Sequence, residues 1–148
     1  MRPSLRDEQG SAALEFIVGG LVLLVPVVYL VVALGMIQQQ ALGVESGARH
    51  VARAISTATD AAEADRRARS VLESITREYG IDASRLALNI DCGQSVGGCP
   101  RAGATIVVTI QSEVALPLVP PVLDLDRVAV VPVEGVAVQK MSRVWGGP

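Results

Sequence analysis

Glu15 is a carboxylate at the edge of a long uncharged stretch, and it is the residue whose type and position point most directly to chemistry. Residues 16–37 contain no Asp, Glu, Lys, Arg or His, and Gly10 lies five residues before Glu15. The 22 residues of that stretch would form roughly 33 Å of helix, enough to cross the hydrocarbon core of a bilayer. A carboxylate drawn into such a core costs up to about 3 kcal/mol and usually has a charged partner. The sequence therefore predicts that Glu15 pairs with a positive charge.

The order of Gly10, small residues, Glu15, Phe16 and a long apolar helix resembles the processing site of type IV prepilins. The resemblance implies that prepilin peptidase cuts the Gly10–Ser11 bond on the cytoplasmic side and leaves the apolar helix on the mature chain. It also implies that Glu15 and Phe16 serve subunit assembly, with Glu15 accepting the N-terminal amine of a neighbouring subunit. That amine, on Ser11, would be positively charged near neutral pH, because its reference pKa is about 7.7–8.0. The best-known pilins carry phenylalanine where this chain has Ser11, a departure that bears on assignment as a major pilin but not on processing.

Two other interpretations of the apolar stretch are a plain signal anchor and a cleaved secretory signal. For the second, Ala33-Leu34-Gly35 loosely matches a small-x-small cleavage site. Secretory apolar regions are about 7–15 residues long, shorter than this one. Neither alternative accounts for a glutamate immediately before the apolar stretch, so we favour the prepilin interpretation.

Cys92 and Cys99 are the two cysteines of the chain, and six residues rich in glycine separate them. A zinc site would need two further ligands of the Cys/His type, and a redox pair normally has two intervening residues. Outside the cytoplasm, such a pair is expected to form a structural disulfide. The spacing therefore predicts a Cys92–Cys99 disulfide in an extracytoplasmic domain.

Few other residues offer catalytic or ligand-binding chemistry. His50 is the single histidine, and its surroundings in the sequence predict a solvated surface residue. The chain has no nucleophile elbow, P-loop or dinucleotide glycine pattern, and no cluster of metal-binding histidines. The net charge of −2 without a basic block argues against a nucleic-acid module. We therefore expect no enzyme activity, no cofactor or metal, and neither a nucleic acid nor a small-molecule substrate as partner.

The chain must position these residues with one anchor helix and one small domain. Beyond the anchor, an apolar seam with heptad-like spacing predicts that the helix continues and lies on a sheet. A second amphipathic helix is expected between Thr59 or Asp60, as its N-terminal cap, and Gly80, as its stop. Alternating patterns predict strands at residues 85–90, 105–111 and 128–138, and Pro132 makes the last one an edge or bulged strand. The predicted fold is α+β, with a leader at residues 1–10, a transmembrane helix at 11–37 and an extracytoplasmic domain with an antiparallel sheet at 38–148. The seam consists of Ile37, Ala41, Val44, Ala48, Val51 and Ile55.

Residues 117–123 form an apolar, proline-rich connection between the second and third strands. Such a segment is either buried against the domain or used for contact with a partner or a membrane surface. We favour burial.

Among prepilin-like proteins, the chain is most similar to the TadE-like proteins of the tight-adherence (Flp-type) pilus. The similarity lies in the Glu15-Phe16 helix, in the polar exit at residues 38–42, and in Gly47-Ala48-Arg49, with the late cysteine pair and Val-rich strands as weaker features. It implies a minor pseudopilin, processed by prepilin peptidase, that works with other pilins and the assembly machinery. It also implies a single-pass protein of the bacterial inner membrane with its C-terminal domain outside the cytoplasm. Two alternatives are an anchored binding module, such as an adhesin or cell-wall receptor, and a pseudopilin of a type II secretion or competence machine.

Overall fold

The structure is a computed structural model that describes residues 8–93, 99–119 and 128–145. Two α-helices precede a three-stranded antiparallel sheet, so the fold is α+β as predicted. The chain divides into two compact units, Met1–Gly35 and Met36–Pro148. Residues 1–7 of the predicted leader and residues 120–123 of the proline-rich connection lie outside the described residues. The elements are α1 (Glu8–Ser56), α2 (Ala61–Tyr79), a short 3-10 helix (Ala83–Arg85), β1 (Ala87–Asp91), β2 (Thr105–Ala115) and β3 (Val130–Lys140).

The first unit consists of the apolar part of α1. By length and composition, α1 can cross a membrane, with the candidate span at Ala12–Ser56. Most of the Leu and Val side chains between Leu14 and Leu34 are exposed to solvent, which is the arrangement expected of a surface that faces lipid. A signal sequence near the N-terminus can meet the same criteria of length and composition, so the span by itself does not separate the interpretations given above.

The core of the second unit lies between one face of the sheet and the two helices. The predicted seam of α1 is buried there, since Val44, Ala48, Val51 and Ile55 have at most 1% exposure, while Ile37 and Ala41 are partly buried at its edge. Each fully buried Val or Ile contributes roughly 1.5–3 kcal/mol relative to exposure. The sheet supplies Ile106, Val108, Ile110 and Val114, and α2 supplies Ala64, Ala68 and Ile75.

Three glycines allow backbones to approach closely inside this core. A Cβ at Gly43 would lie 2.7 Å from Cγ of Tyr79, and one at Gly47 would collide with Ile75, so both sit where α2 crosses α1. A Cβ at Gly135 would collide with the backbone of Val44. At Gly135, therefore, α1 rests directly on β3.

The sheet has the order β1-β2-β3, so β3 is an edge strand, as Pro132 predicts. The β2–β3 register is unbroken from Thr105↔Lys140 to Ala115↔Val130, so the strand has no bulge. Hydrogen bonds from Leu116 N to Ala129 O (3.0 Å) and from Met141 N to Ala104 O (2.8 Å) continue the ladder at both ends. The odd-numbered residues of β3 therefore bond to β2, and Pro132 turns its missing donor towards the open edge.

The strands start and end at other residues than their sequence patterns suggest. β1 begins at Ala87 because residues 83–85 form a 3-10 turn, and β2 continues to Ala115, four residues beyond the predicted end. β3 is shifted by two residues, to Val130–Lys140. Strand ends follow the partner strand, which the pattern of a single segment does not contain.

The ends of α2 match the predicted signals. Asp60 is the N-cap, and its side chain accepts a hydrogen bond of 2.7 Å from Glu63 N. Glu63 reaches back to accept hydrogen bonds from Thr59 Oγ1 (2.6 Å) and Thr59 N (2.7 Å). These hydrogen bonds lower the pKa of Glu63 to about 2. At the other end, Gly80 adopts φ 64°, a left-handed conformation suited to glycine.

Candidate processing and assembly site

The predicted cleavage bond, Gly10–Ser11, lies in α1, close to Glu8, the first residue that the structure describes. Glycine weakens a helix by about 1 kcal/mol relative to alanine. The bond that the prepilin resemblance selects therefore follows a residue that favours helix less than alanine would.

Glu15 lies in regular helix and its side chain is exposed. It makes no hydrogen bond or ion pair with any residue that the structure describes. Along the sequence, no Lys, Arg or His occurs between Glu15 and Arg49. Its i±3 and i±4 neighbours on the helix include Ala12, Val18 and Gly19, which carry no charge. In the sequence, the nearest basic residues are Arg6 before Glu15 and Arg49 after it.

Phe16 follows Glu15 and is 83% exposed. Consecutive residues leave a helix about 100° apart, so the charged and the aromatic side chain point in different directions. An exposed phenylalanine on a helix of this composition is expected to lie in lipid or against another helix. Both side chains are exposed on a helix that is long and apolar enough to cross a membrane.

Cys92 and Cys99 are joined by a disulfide, as their spacing predicts, with Cα atoms 5.8 Å apart. Cys92 follows β1 directly and is 7% exposed, within the core cluster. The bond therefore fixes the end of an edge strand of only five residues. It is a structural feature of the second unit rather than a reactive site.

His50 is exposed on α1, as predicted, in an open groove between α1 and α2 that Arg49, Glu45 and Tyr79 also line. Arg49 pairs there with Glu45, the residue one turn before it. Within residues 8–93, 99–119 and 128–145, no group of three His, Cys, Asp or Glu side chains is placed to hold a metal ion.

Two features of the second unit differ from or extend the sequence analysis. Leu118 is 88% exposed, so the prediction of burial is wrong for this residue of the proline-rich connection.

Trp145 was not assigned a role, yet its indole Nε1 donates a 3.1 Å hydrogen bond to Ile55 O and its ring packs against the core. A lone tryptophan a few residues after a strand was the available signal, because indole rings seldom stay fully exposed.

Comparisons of the chain with protein-family models, with curated proteins and with solved structures found no match.

Proposed function

We propose that this chain is a TadE-like minor pseudopilin that prepilin peptidase processes and that acts in the assembly of a tight-adherence pilus. The observation that carries the proposal is the position of Glu15, five residues after Gly10 and at the start of an exposed apolar stretch, residues 16–37, that contains no cation. Such a carboxylate is costly in a bilayer unless a positive charge joins it. Cleavage after Gly10 would create that charge on Ser11 of another copy or another pilin.

The pairing has a simple electrostatic basis. Two opposite charges in apolar surroundings stabilise each other, whereas either one alone is strongly unfavourable there. A subunit would therefore enter the assembly only when its carboxylate meets a neighbour's amine. Glu15 would thus prevent docking of a subunit that offers no amine to it, and Phe16 would add an apolar contact.

The second unit supports a minor rather than a bulk role. Major pilins of the tight-adherence type are much shorter than this chain, as the family resemblance implies, whereas Met36–Pro148 forms a separate folded unit with its own core. Its disulfide is of the kind that persists outside the cytoplasm. Both features suit a protein of the bacterial inner membrane whose C-terminal unit faces outward and works with other pilins.

The first test of the proposal is the N-terminus of the mature protein. Chain isolated from membranes of cells that contain prepilin peptidase should begin at Ser11, and Gly10→Ala should accumulate the form that begins at Met1. Gly20→Ala, in the same helix and with nothing within 4 Å of its Cβ, is the matched control and should be processed normally. Mature protein that begins at Met36 would identify a cleaved secretory signal, and protein that begins at Met1 in every strain would identify a plain anchor.

The second test separates assembly from display. Glu15→Ala should insert into the membrane and be cleaved, because it removes a charge that opposes insertion and leaves the Gly10–Ser11 bond intact. Pilus formation should fail, since a neighbour's amine would have no partner in apolar surroundings. An anchored adhesin or receptor predicts unchanged function once its outer unit is displayed. Normal piliation at normal protein levels would contradict the role of Glu15.

A further inference from the structure

The sheet of the second unit has two open edges, β1 and β3, which pair with no further strand in the described part of the chain. The odd-numbered residues of β3 bond to β2, so the backbone N–H and C=O groups of Val136, Val138 and Lys140 point away from the sheet. By the same alternation, the odd-numbered residues of β1 bond to β2, and the backbone groups of Leu88 and Ile90 point outward. Open edges of this kind are templates for a further strand.

The side chains of β3 on the face away from the helices form a short pattern of an acid, two apolar residues and a base. Glu134 is the acid, and Val136 and Val138 follow it with 48% and 65% exposure. The base is Lys140, which is exposed and is the single lysine of the chain. Pro132 offers no donor to the open edge and precedes this pattern, so the part of the edge that can accept a strand begins after it.

β1 carries the opposite order of charge. Arg85 comes just before the strand, and Asp91 ends it, with Ala87 and Asn89 between them. The three strand residues are exposed on the same open face of the sheet, and Arg85 lines a cleft there together with Gln111. The exposed face of β1 thus begins with a base and ends with an acid, whereas that of β3 begins with an acid and ends with a base.

β1 and β3 are both antiparallel to β2, so they run in the same direction and can pair in parallel between two copies that share one orientation. The outward backbone groups then place even-numbered residues of β3 opposite odd-numbered residues of β1. One register that obeys this rule sets Lys140 of one copy opposite Asp91 of the other. It also sets Glu134 opposite Arg85, six residues earlier on each strand. Moving either strand by two residues in either direction leaves no pair of opposite charges.

We infer that β3 of one copy adds to β1 of a second copy, so that the sheets of neighbouring second units join edge to edge. The inference rests on the proposed function, because a head-to-tail contact joins copies that share one orientation, as subunits added one after another do. Backbone hydrogen bonds at Leu88 and Ile90 hold the two strands together, and the charge pairs fix the register. The contact involves one short strand from each side, so it is weak in isolation and forms where copies are held at high local concentration.

The inference is tested on the unsubstituted full chain with a carbodiimide, which joins an amine directly to a carboxylate. Isotopically light and heavy chains are reconstituted together in phosphatidylcholine vesicles at high protein density, cross-linked and mapped by mass spectrometry. A peptide that joins Lys140 of a light chain to Asp91 of a heavy chain supports the inference. A mixed link from Lys140 to Glu134 would overturn it, because it identifies a two-fold pairing of β3 with β3. The absence of any mixed link from Lys140 would overturn it as well.

The same peptide map reports separately on the proposed function, whose own pair is the N-terminal amine and Glu15. A mixed link from the amine of Ser11 to Glu15 without one from Lys140 to Asp91 would refute the edge contact and leave the docking role of Glu15 intact. The reverse result would support the edge contact and count against that docking role.

A second measurement determines the register with a short thiol cross-linker, dibromobimane, in the same vesicles. The native cysteines are joined to each other, so Val138→Cys in one copy and Asn89→Cys in another provide the reactive thiols. These two positions should cross-link, whereas the matched combination of Val138→Cys with Val136→Cys, which tests pairing of β3 with β3, should not.

Charge reversal tests the ion pair within this contact. Adding Lys140→Glu to the cross-linking pair should lower the yield about two- to five-fold, as expected for an exposed ion pair, and Asp91→Lys in the other copy should restore it. Equal yields in all charge variants would overturn the proposed register, as would cross-linking of the β3 combination alone.

Discussion

Replacing Gly135 with alanine is expected to destabilise the second unit, because the new methyl group would meet helix backbone. An ideal Cβ at Gly135 collides with the carbonyl of Val44 and with the amide nitrogen of Glu45. These atoms belong to a regular helix whose buried residues would have to move with them. A rotamer change cannot relieve the contact, so α1 must shift away from β3.

The size of the effect follows from two opposing contributions. Shifting backbone in a packed core typically costs about 1–3 kcal/mol. Replacing glycine lowers the entropy of the unfolded chain and returns about 0.4–1 kcal/mol. A net loss of about 1–2 kcal/mol is expected from Gly135→Ala. Gly35→Ala is the matched control: nothing lies within 4 Å of its Cβ, and alanine favours the helix by about 1 kcal/mol.

The assay is urea unfolding of the full chain in detergent micelles, followed by the fluorescence of Trp145, the single tryptophan. Its indole is fixed to Ile55 O, so its emission reports on the folding of the second unit. Gly135→Ala should lower the midpoint at an unchanged slope, which indicates a change in stability rather than in compactness. Gly35→Ala should stay within about 1 kcal/mol of the parent chain. If the two substitutions have equal effects, the direct contact between α1 and β3 at Gly135 is not the cause.

Three further predictions concern the second unit. Reduction of the Cys92–Cys99 disulfide should lower the free energy of unfolding by roughly 2.5 kcal/mol, from the entropy of closing so short a loop, measured as a shift of the same urea transition. The pKa of Glu63 is lowered to about 2 from its ordinary value of 4.5, so its contribution to stability is present above pH 4.5 and is lost as the pH falls towards 2. Glu63→Gln should flatten that part of the pH profile of thermal unfolding. Trp145→Phe should cost about 1–2 kcal/mol by removing the donor to Ile55 O, as thermal unfolding followed by circular dichroism will report.

Local sequence signals were sufficient for the helices and for the type of fold. The ends of α2 are set by Asp60 and Gly80, whose capping chemistry is contained in a few neighbouring residues. The buried seam of α1 follows directly from its periodicity. The disulfide was also predictable, because the pair has no other chemistry within reach. Each of these features depends on residues that are close in the chain.

The contacts that sequence reasoning missed join residues far apart in the chain. Gly135 looks like an interruption of a strand, and only the presence of α1 on top of it explains why a side chain is excluded there. Trp145 finds its acceptor 90 residues earlier. The exposure of Leu118 was missed for the same reason, because it depends on residues far away in the chain. An apolar, proline-rich connection is compatible with burial and with contact until its surroundings are known. For the candidate site, the sequence supplies Glu15 and its register with Gly10, whereas the partner proposed for Glu15 belongs to another chain.

Stability and assembly should therefore respond to different substitutions. Glu15 belongs to the first unit and makes no bond with any described residue, so Glu15→Ala should leave the unfolding of the second unit, followed by Trp145, unchanged within about 0.5 kcal/mol. Gly135→Ala should lower that stability while Glu15 still pairs with a neighbour's amine, so pili should form as long as enough folded protein reaches the membrane. Both variants are compared in one strain at matched protein levels, with urea midpoints and surface pili measured in parallel. If Glu15→Ala lowered the midpoint as much as Gly135→Ala does, its loss of pili would reflect misfolding, and the assignment of Glu15 to subunit docking would lose its support.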